Sequence, residues 1–392
     1  MAVDLSPPLA PPSPARRPRS TGGLPFVGSL PALLRDPLPF FLEARQRYGD
    51  IYTLDLGVTR MTVLNHPSHA QHILADNSRN YPKGGAMWDS IRSMLGNGLV
   101  VSEGDFWLRQ RRMMQPHFHH KRLAAISGIM VGAIEESLQT WDERLATGAA
   151  VDLAPAFSAI TMNVIVRTLF GSQLDEIRAG KVGQAMGYAL DYLMVGMLAR
   201  SLPAGLPVPG KRRYAAALKT MDAVLFEVIA GRRAAGLDGD DLIALLIQAV
   251  DDESGEGMTN QQLRDEAVTM FLAGYETTSI TLSWVMHFLL HDPSVARQLR
   301  DEADAVLDGR APTFADLPRL TYTRMVIQEA LRFFPPSWWT PRTAQRDDEV
   351  DGFAIPAGTN VVSLTYGIHH HPGIWDQPHL FVPERFSPEQ VA

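Results

Sequence analysis

The stretch Ala273-Gly274-Tyr275-Glu276-Thr277-Thr278 is a polar break in the middle of the longest apolar helical pattern in the chain. The pattern opens on a capping box, Thr259 with Gln262, and closes at Asp292-Pro293. At ~1.5 Å per residue it predicts an element of roughly 45–50 Å, long enough to cross a whole domain. A carboxylate and two hydroxyls in its middle are costly to bury unless they meet partners or a ligand. Gly274 bares the backbone on one side, so a flat group can lie against it. Thr277 and Thr278 can bond back to the preceding turn. The helix reads as one shaped to receive a guest.

Working outward, the remaining periodicities are mostly helical. They fall near 67–76, 105–145, 155–170, 182–200, 212–235, 293–307 and 318–334. Residues 51–56 and 61–65 alternate as a hairpin around Gly57-Val58-Thr59-Arg60. A second strand-rich stretch, 350–365, is broken at Asp351-Gly352 and Pro356-Ala357-Gly358. The acidic segment Asp251 to Gly257 reads as an exposed turn. The fold class is therefore mainly α with a minor β-sheet region. Pairing of the two distant strand regions would make residues 21–392 one interlocked domain behind a Pro-rich flexible tail, residues 1–20.

Composition narrows the function. The 392 residues are 45% hydrophobic and 20% charged, which suits a large core. Net charge is −7, against a nucleic-acid partner and in keeping with a cytoplasmic protein. No early run of about 18 apolar residues reads as a membrane anchor or secretory signal. The chain has no cysteine, so none of these residues offers a thiolate to a metal.

Four further patterns are each weak alone. Trp107 and Arg111 share a helix face at i, i+4, where an indole donor and a guanidinium could hold a carboxylate, or simply form a solvated basic face. Glu329 and Arg332, at i, i+3 before Pro335-Pro336, would ordinarily be a surface ion pair. Pro383-Glu384-Arg385-Phe386 ends a polar, proline-rich meander. Arg342, following Trp338-Trp339-Thr340-Pro341, could bind an acid or stack on a tryptophan.

In order and spacing these patterns resemble the cytochrome P-450 family of haem monooxygenases, in its soluble bacterial form, over roughly residues 24–386. Gly96-Asn97-Gly98-Leu99, Ser102-Glu103-Gly104-Asp105 and Tyr81-Pro82 add matching text. The resemblance implies haem as cofactor, with Trp107, Arg111 and Arg342 on its propionates and Ala273 and Gly274 against the macrocycle. It implies that Glu276 and Thr277 relay protons during dioxygen activation. It makes Glu329, Arg332 and Arg385 a buried structural triad. An apolar small-molecule substrate is implied, with Trp88, Met94, Phe271, Trp338 and Trp339 in segments that usually line the pocket. So is a separate electron donor of ferredoxin or flavodoxin type, which the basic stretch from Arg109 to Arg122 could steer.

One departure stands against this pattern. The family's iron is held by a cysteine in a loop just after the Pro-Glu-Arg-Phe meander, followed by a further helix. Neither is present here. The chain is therefore expected to be a monooxygenase cut short before that loop and inactive as written. The alternative is a non-catalytic protein binding apolar ligands on the same fold. A third reading, a histidine metal site, rests on His287 with His291 at i, i+4, on His117, His119 and His120, and on the run His369–His371.

Overall fold

A computed structural model describes residues 15–57, 59–171, 176–199, 207–235 and 241–391. The chain divides into two compact units. One joins the residues up to Pro82 to Thr340–Ile368; the other comprises Lys83–Trp339 and His369–Ala392.

The first unit is built on a five-stranded sheet of order β1-β2-β3-β7-β4. β2 (Ile51–Asp55) and β3 (Arg60–Leu64) form the expected antiparallel hairpin, and β1 (Arg19–Ser20) lies parallel to β2. β3 pairs in parallel with β7 (Asn360–Ser363), and β4 (Thr340–Thr343) closes the sheet antiparallel to β7. The two distant strand regions thus share one sheet. β5 (Asp348–Val350) and β6 (Phe353–Ile355) are a separate hairpin, turned at Asp351 (φ 49°) and Gly352 (φ 75°). α1 (Leu30–Arg35), α2 (Pro37–Tyr48) and α3 (Pro67–Gln71) complete the unit. Its core gathers Ile51, Leu64, Ile73, Tyr81, Val350 and Val361.

The expected tail ends earlier than Ser20. Arg16 already bridges to Phe353, its guanidinium 4.4 Å from the ring centre. Residues 1–14 lie outside the described residues.

A polar hub fixes the β5–β6 hairpin. Asp348 accepts from Tyr81 Oη at 2.6 Å, His72 Nε2 at 2.8 Å and Asn77 Nδ2 at 3.0 Å. Burial pushes this carboxyl's pKa up, but the donors prevail and hold it down at about 2.

The second unit is helical. Its elements are α4 (Ala86–Leu95), α5 (Gly104–Met114), α6 (His120–Ala146), α7 (Leu153–Phe170), α8 (Glu176–Ala199), α9 (Lys211–Ala235), α10 (Leu242–Gln248), α11 (Asn260–His291), α12 (Pro293–Leu307) and α13 (Thr321–Phe333). The pattern 105–145 is two helices, because Pro116 lacks an N–H and breaks the ladder in a tight turn at Gln115–Phe118. The capping box that opens α11 is formed: Gln262 N donates to Thr259 Oγ1 at 3.2 Å, and Thr259 N to Gln262 Oε1 at 2.8 Å. At the far end Asp292 stops α11 and caps α12 through the N–H groups of Ser294 and Val295. α7 is apolar and long enough to cross a membrane by composition, but here it packs on α6 and α11. The main core joins α4, α7, α8, α9 and α11.

Candidate functional site

The long helix changes character along its length. From Leu263 to Thr269 every residue is buried, including Arg264, Asp265 and Glu266. These charges are used within the unit. Asp265 accepts from Asn97 N at 2.8 Å, while Glu266 accepts from Leu99 N at 3.0 Å and Gln110 Nε2 at 3.1 Å. The loop after α4 is thereby bolted to α11, a role that no local spacing in the sequence announces. Four residues on, Ala273, Thr277 and Thr278 are exposed. Thr277 Oγ1 donates back to Ala273 O at 2.5 Å, and Thr281 Oγ1 to Thr277 O at 2.8 Å. Ala273, Thr277 and Thr281, at i, i+4, i+8, form one stripe on the helix.

Gly274 is not on that stripe. A Cβ there would fall 2.7 Å from Ile165 Cδ1, so the glycine admits α7. The bare surface expected at Gly274 is supplied instead by Ala273. Glu276 is half-buried, and burial, helped by the charge of Asp191, pushes its carboxyl pKa up. The polar break therefore presents a flat, small-residue face beside a carboxyl group that holds its proton more tightly than usual.

Trp107 and Arg111 meet on α5, with the guanidinium 5.2 Å from the indole centre; Trp107 is half-buried and Arg111 exposed. Their neighbours do not form the free basic face expected of this stretch. Arg112 bonds Asp251 at 2.9 Å and Glu253 at 2.5 Å, and Arg109 reaches Glu256 at 3.4 Å. Asp251, expected in an exposed turn, is buried. Burial raises its pKa, yet the hydrogen bonds from Arg112 and Ser254 outweigh this and lower it. The cations left exposed on this stretch are Arg111, Lys121 and Arg122. Arg342, on β4 of the sheet unit, is half-buried and donates to Pro341 O at 2.8 Å.

Glu329, Arg332 and Arg385 come together. Arg332 grips Glu329 through two bonds of 2.7 Å, and Arg385 Nε stands 3.4 Å from the same carboxylate. The other three Arg332 N–H groups go to the carbonyls of His369 (2.9 Å), Pro378 (2.9 Å) and Leu380 (3.1 Å). All five guanidinium donors are thus matched. Val382 N adds a third hydrogen bond to the carboxylate at 2.9 Å. The three residues form a buried clasp that holds the meander onto α13, rather than the surface ion pair that the i, i+3 spacing taken alone would give.

Of the expected pocket residues, Trp88, Met94 and Phe271 are buried in the main core. Trp338 and Trp339 stack on each other with centroids 4.8 Å apart, and both are half-buried. A cavity of about 330 Å³ is lined by Ser90 and Ser93 of α4 with Tyr192, Leu193, Lys211 and Tyr214. Its polar side chains escaped notice because α4 has no side-chain cap and too few turns to show a period. His291 Nδ1 lies 2.7 Å from His287 O, and the two rings are 4.3 Å apart. Among the described residues no three metal-binding side chains gather, so these histidines do not form the metal site their spacing suggested.

Comparison with known proteins resolves the family. The model for "Cytochrome P450" matches residues 18–392. Cyclooctat-9-en-7-ol 5-monooxygenase of Streptomyces melanosporofaciens is 36% identical over 383 residues, 95% of this chain and 81% of that protein. Pentalenene oxygenase of Streptomyces avermitilis is 31% identical over 371 residues, again 95% and 81%. The crystal structure of the cytochrome P450DA haem domain superposes with a TM-score of 0.86 at 26% identity, covering 97% of this chain and 84% of that one. With the clasped meander, the open stripe of α11 and the Trp107–Arg111 pair already in place, the match is one of fold and sequence together, and the chain belongs to the cytochrome P450 family of haem-dependent monooxygenases.

Proposed function

We propose that this protein hydroxylates an apolar terpene, with the exposed stripe of α11 as the wall of its oxygen-activating site. The observation that carries the reading is the contrast within α11, where a buried, self-satisfied half gives way to an open face of Ala273 and Thr277 beside a proton-retaining Glu276. The relatives named for terpene substrates supply the substrate class.

The residues present fit the macrocycle on this side. Ala273 offers a face without bulk, and Trp107 with Arg111 offers an indole N–H and a guanidinium suited to a propionate. Arg342 is proposed as a further propionate cation. The thiolate that completes haem ligation in this family is not among the 392 residues. When bound, haem supplies reductive activation of dioxygen, so that one oxygen atom enters a C–H bond and the other leaves as water. The chain's own contribution is proton management. The Thr277 hydroxyl, anchored on Ala273 O, positions a proton donor at the open face, and Glu276 holds the reserve proton behind it. Glu329, Arg332 and Arg385 hold the meander and take no part in chemistry.

An electron donor of ferredoxin or flavodoxin type is proposed as partner, docking on charges that exclude Arg109 and Arg112, and the protein is proposed to work in the cytoplasm. The test is Thr277→Ala in a haem-loaded form of the protein that carries the family's cysteine loop. Reductant consumption should continue while product falls and peroxide accumulates. Unchanged coupling of reductant to product would remove Thr277 from the proton path.

A further inference from the structure

The cavity beside α4 plays no part in the proposed proton path, and its lining is not that of a packing defect. Three helices meet around it: α4 supplies Ser93, α8 supplies Leu193 and Gly196, and α9 supplies Lys211 and Tyr214. Its volume of about 330 Å³ lies within the range of small-molecule sites, roughly 300–1,000 Å³. Among the described residues none of α11 lines it, so it is separate from the stripe of Ala273 and Thr277.

The walls are fixed and one gap is built in. Tyr214 stacks on Tyr192 with ring centres 4.6 Å apart, and Leu193 and Tyr214 pack against the main core. Gly196 sits inside α8, where glycine weakens a helix. A Cβ there would meet Tyr192 at 3.5 Å, an ordinary contact, so packing does not require the glycine. The space it leaves belongs to the cavity.

The polar end has a defined hydrogen inventory. Ser93 Oγ donates to Ser90 O at 2.6 Å and so spends its one proton. In the 2.8 Å contact between Ser93 Oγ and Tyr214 Oη, the phenol is therefore the donor. To a further partner the Tyr214 oxygen offers a lone pair. Lys211, exposed and one turn before it on the same face of α9, offers N–H donors. A group that both donates and accepts suits this pair. A carboxylate would meet the Tyr214 lone pair, and a hydrocarbon would leave both side chains unused. Leu193 and Val208 supply apolar wall. We propose that the cavity is a second small-molecule site that holds a terpene alcohol, its hydroxyl between Lys211 Nζ and Tyr214 Oη. The terpene class rests on the proposed function, whose product is such an alcohol; the hydroxyl does not. Product would then have a place to bind apart from the site that forms it.

Isothermal titration calorimetry of the full chain with geraniol, with the hydrocarbon myrcene and with geranic acid tests it. Geraniol should bind about tenfold more tightly than either of the others. Tyr214→Phe should remove that preference, and Gly196→Phe, which fills the cavity, should abolish geraniol binding. Circular dichroism should be unchanged in both variants. No binding of geraniol, equal affinity for geraniol and myrcene, or tighter binding of geranic acid would overturn the proposal. So would wild-type geraniol binding by Tyr214→Phe and Gly196→Phe. Loss of binding in Ala273→Trp but not in Gly196→Phe would also overturn it, by placing the alcohol on the α11 face. Because the readout is binding without haem, its failure is distinct from a failure of the Thr277→Ala coupling test.

Discussion

Glu276 on α11 and Glu329 on α13 are glutamates in helices of the same unit with opposite surroundings. Glu329 is fully buried, accepts from Arg332 twice and from Val382 N, and pairs by charge with Arg385. Glu276 is half-buried, and neither of the influences that raise its pKa is a hydrogen bond. Desolvation is costly in both places, but only at Glu329 does the chain itself supply the compensation. On the proposed function, the difference separates a finished structural element from a site that keeps its polar groups for chemistry. A carboxylate gripped by hydrogen bonds and two guanidiniums is committed to structure, whereas one whose affinity for its proton burial raises is suited to proton transfer.

The largest break in this comparison comes from the clasp. Glu329→Ala leaves Arg332 buried with two donors unmatched and should cost about 3–5 kcal/mol of unfolding free energy, read by denaturant titration. A loss under ~1 kcal/mol would mean that the meander holds to α13 without it.

Gly274→Val should cost about 1–3 kcal/mol, because the new side chain meets Ile165 Cδ1. Ile165→Ala should recover part of that loss in the double variant, by the coupling expected of residues in contact. Full additivity of the two changes would contradict the α7 contact. The result would show that Gly274 serves helix packing while Ala273 serves the open face.

A smaller effect concerns pH. Because the folded state raises the Glu276 pKa, it binds more protons than the unfolded chain, so this group's contribution to stability falls as pH rises through the folded value. Glu276→Gln should flatten that part of the stability–pH curve. Asp348 has the opposite sign. Its contribution is present above the unfolded value near 4 and disappears as pH falls toward about 2, a dependence that Asp348→Asn should remove.

The smallest stability change belongs to Thr277→Ala, within about 0.5 kcal/mol, since Thr277 is exposed and bonds only to its own helix. Combined with uncoupled turnover, that near-zero value would place the role of Thr277 in chemistry. A loss above ~2 kcal/mol would place it in the fold.

What could be read from the sequence followed the range of the interactions. α11 was legible because its start and stop are local: Thr259 with Gln262, and Asp292 before a proline. The β2–β3 hairpin was legible for the same reason. α4 and α10 were missed, having ten and seven residues and too little length to show a face. The basic stretch on α5 misled because its counter-charges, Asp251 and Glu253, lie 139 and 141 residues away along the chain. Trp88, Met94 and Phe271 lie in the core cluster shared by α4, α7 and α11, a packing that the segments they sit in do not announce. Glu329 with Arg332 was visible as a pair, whereas the carbonyls that make it a clasp come from the end of a short helix at His369 and from a meander with no periodicity at Pro378 and Leu380.

The most direct test of the open face is Ala273→Trp. Ala273 is exposed, so the indole adds no internal clash and the fold should tolerate it. In a form of the protein that carries the family's cysteine loop, haem content per polypeptide, read from Soret absorbance after expression with a haem precursor, should collapse while the unfolding midpoint of the haem-free protein stays at the wild-type value. Normal haem content in a folded Ala273→Trp protein would contradict the account, because the face assigned to the macrocycle would then lie elsewhere.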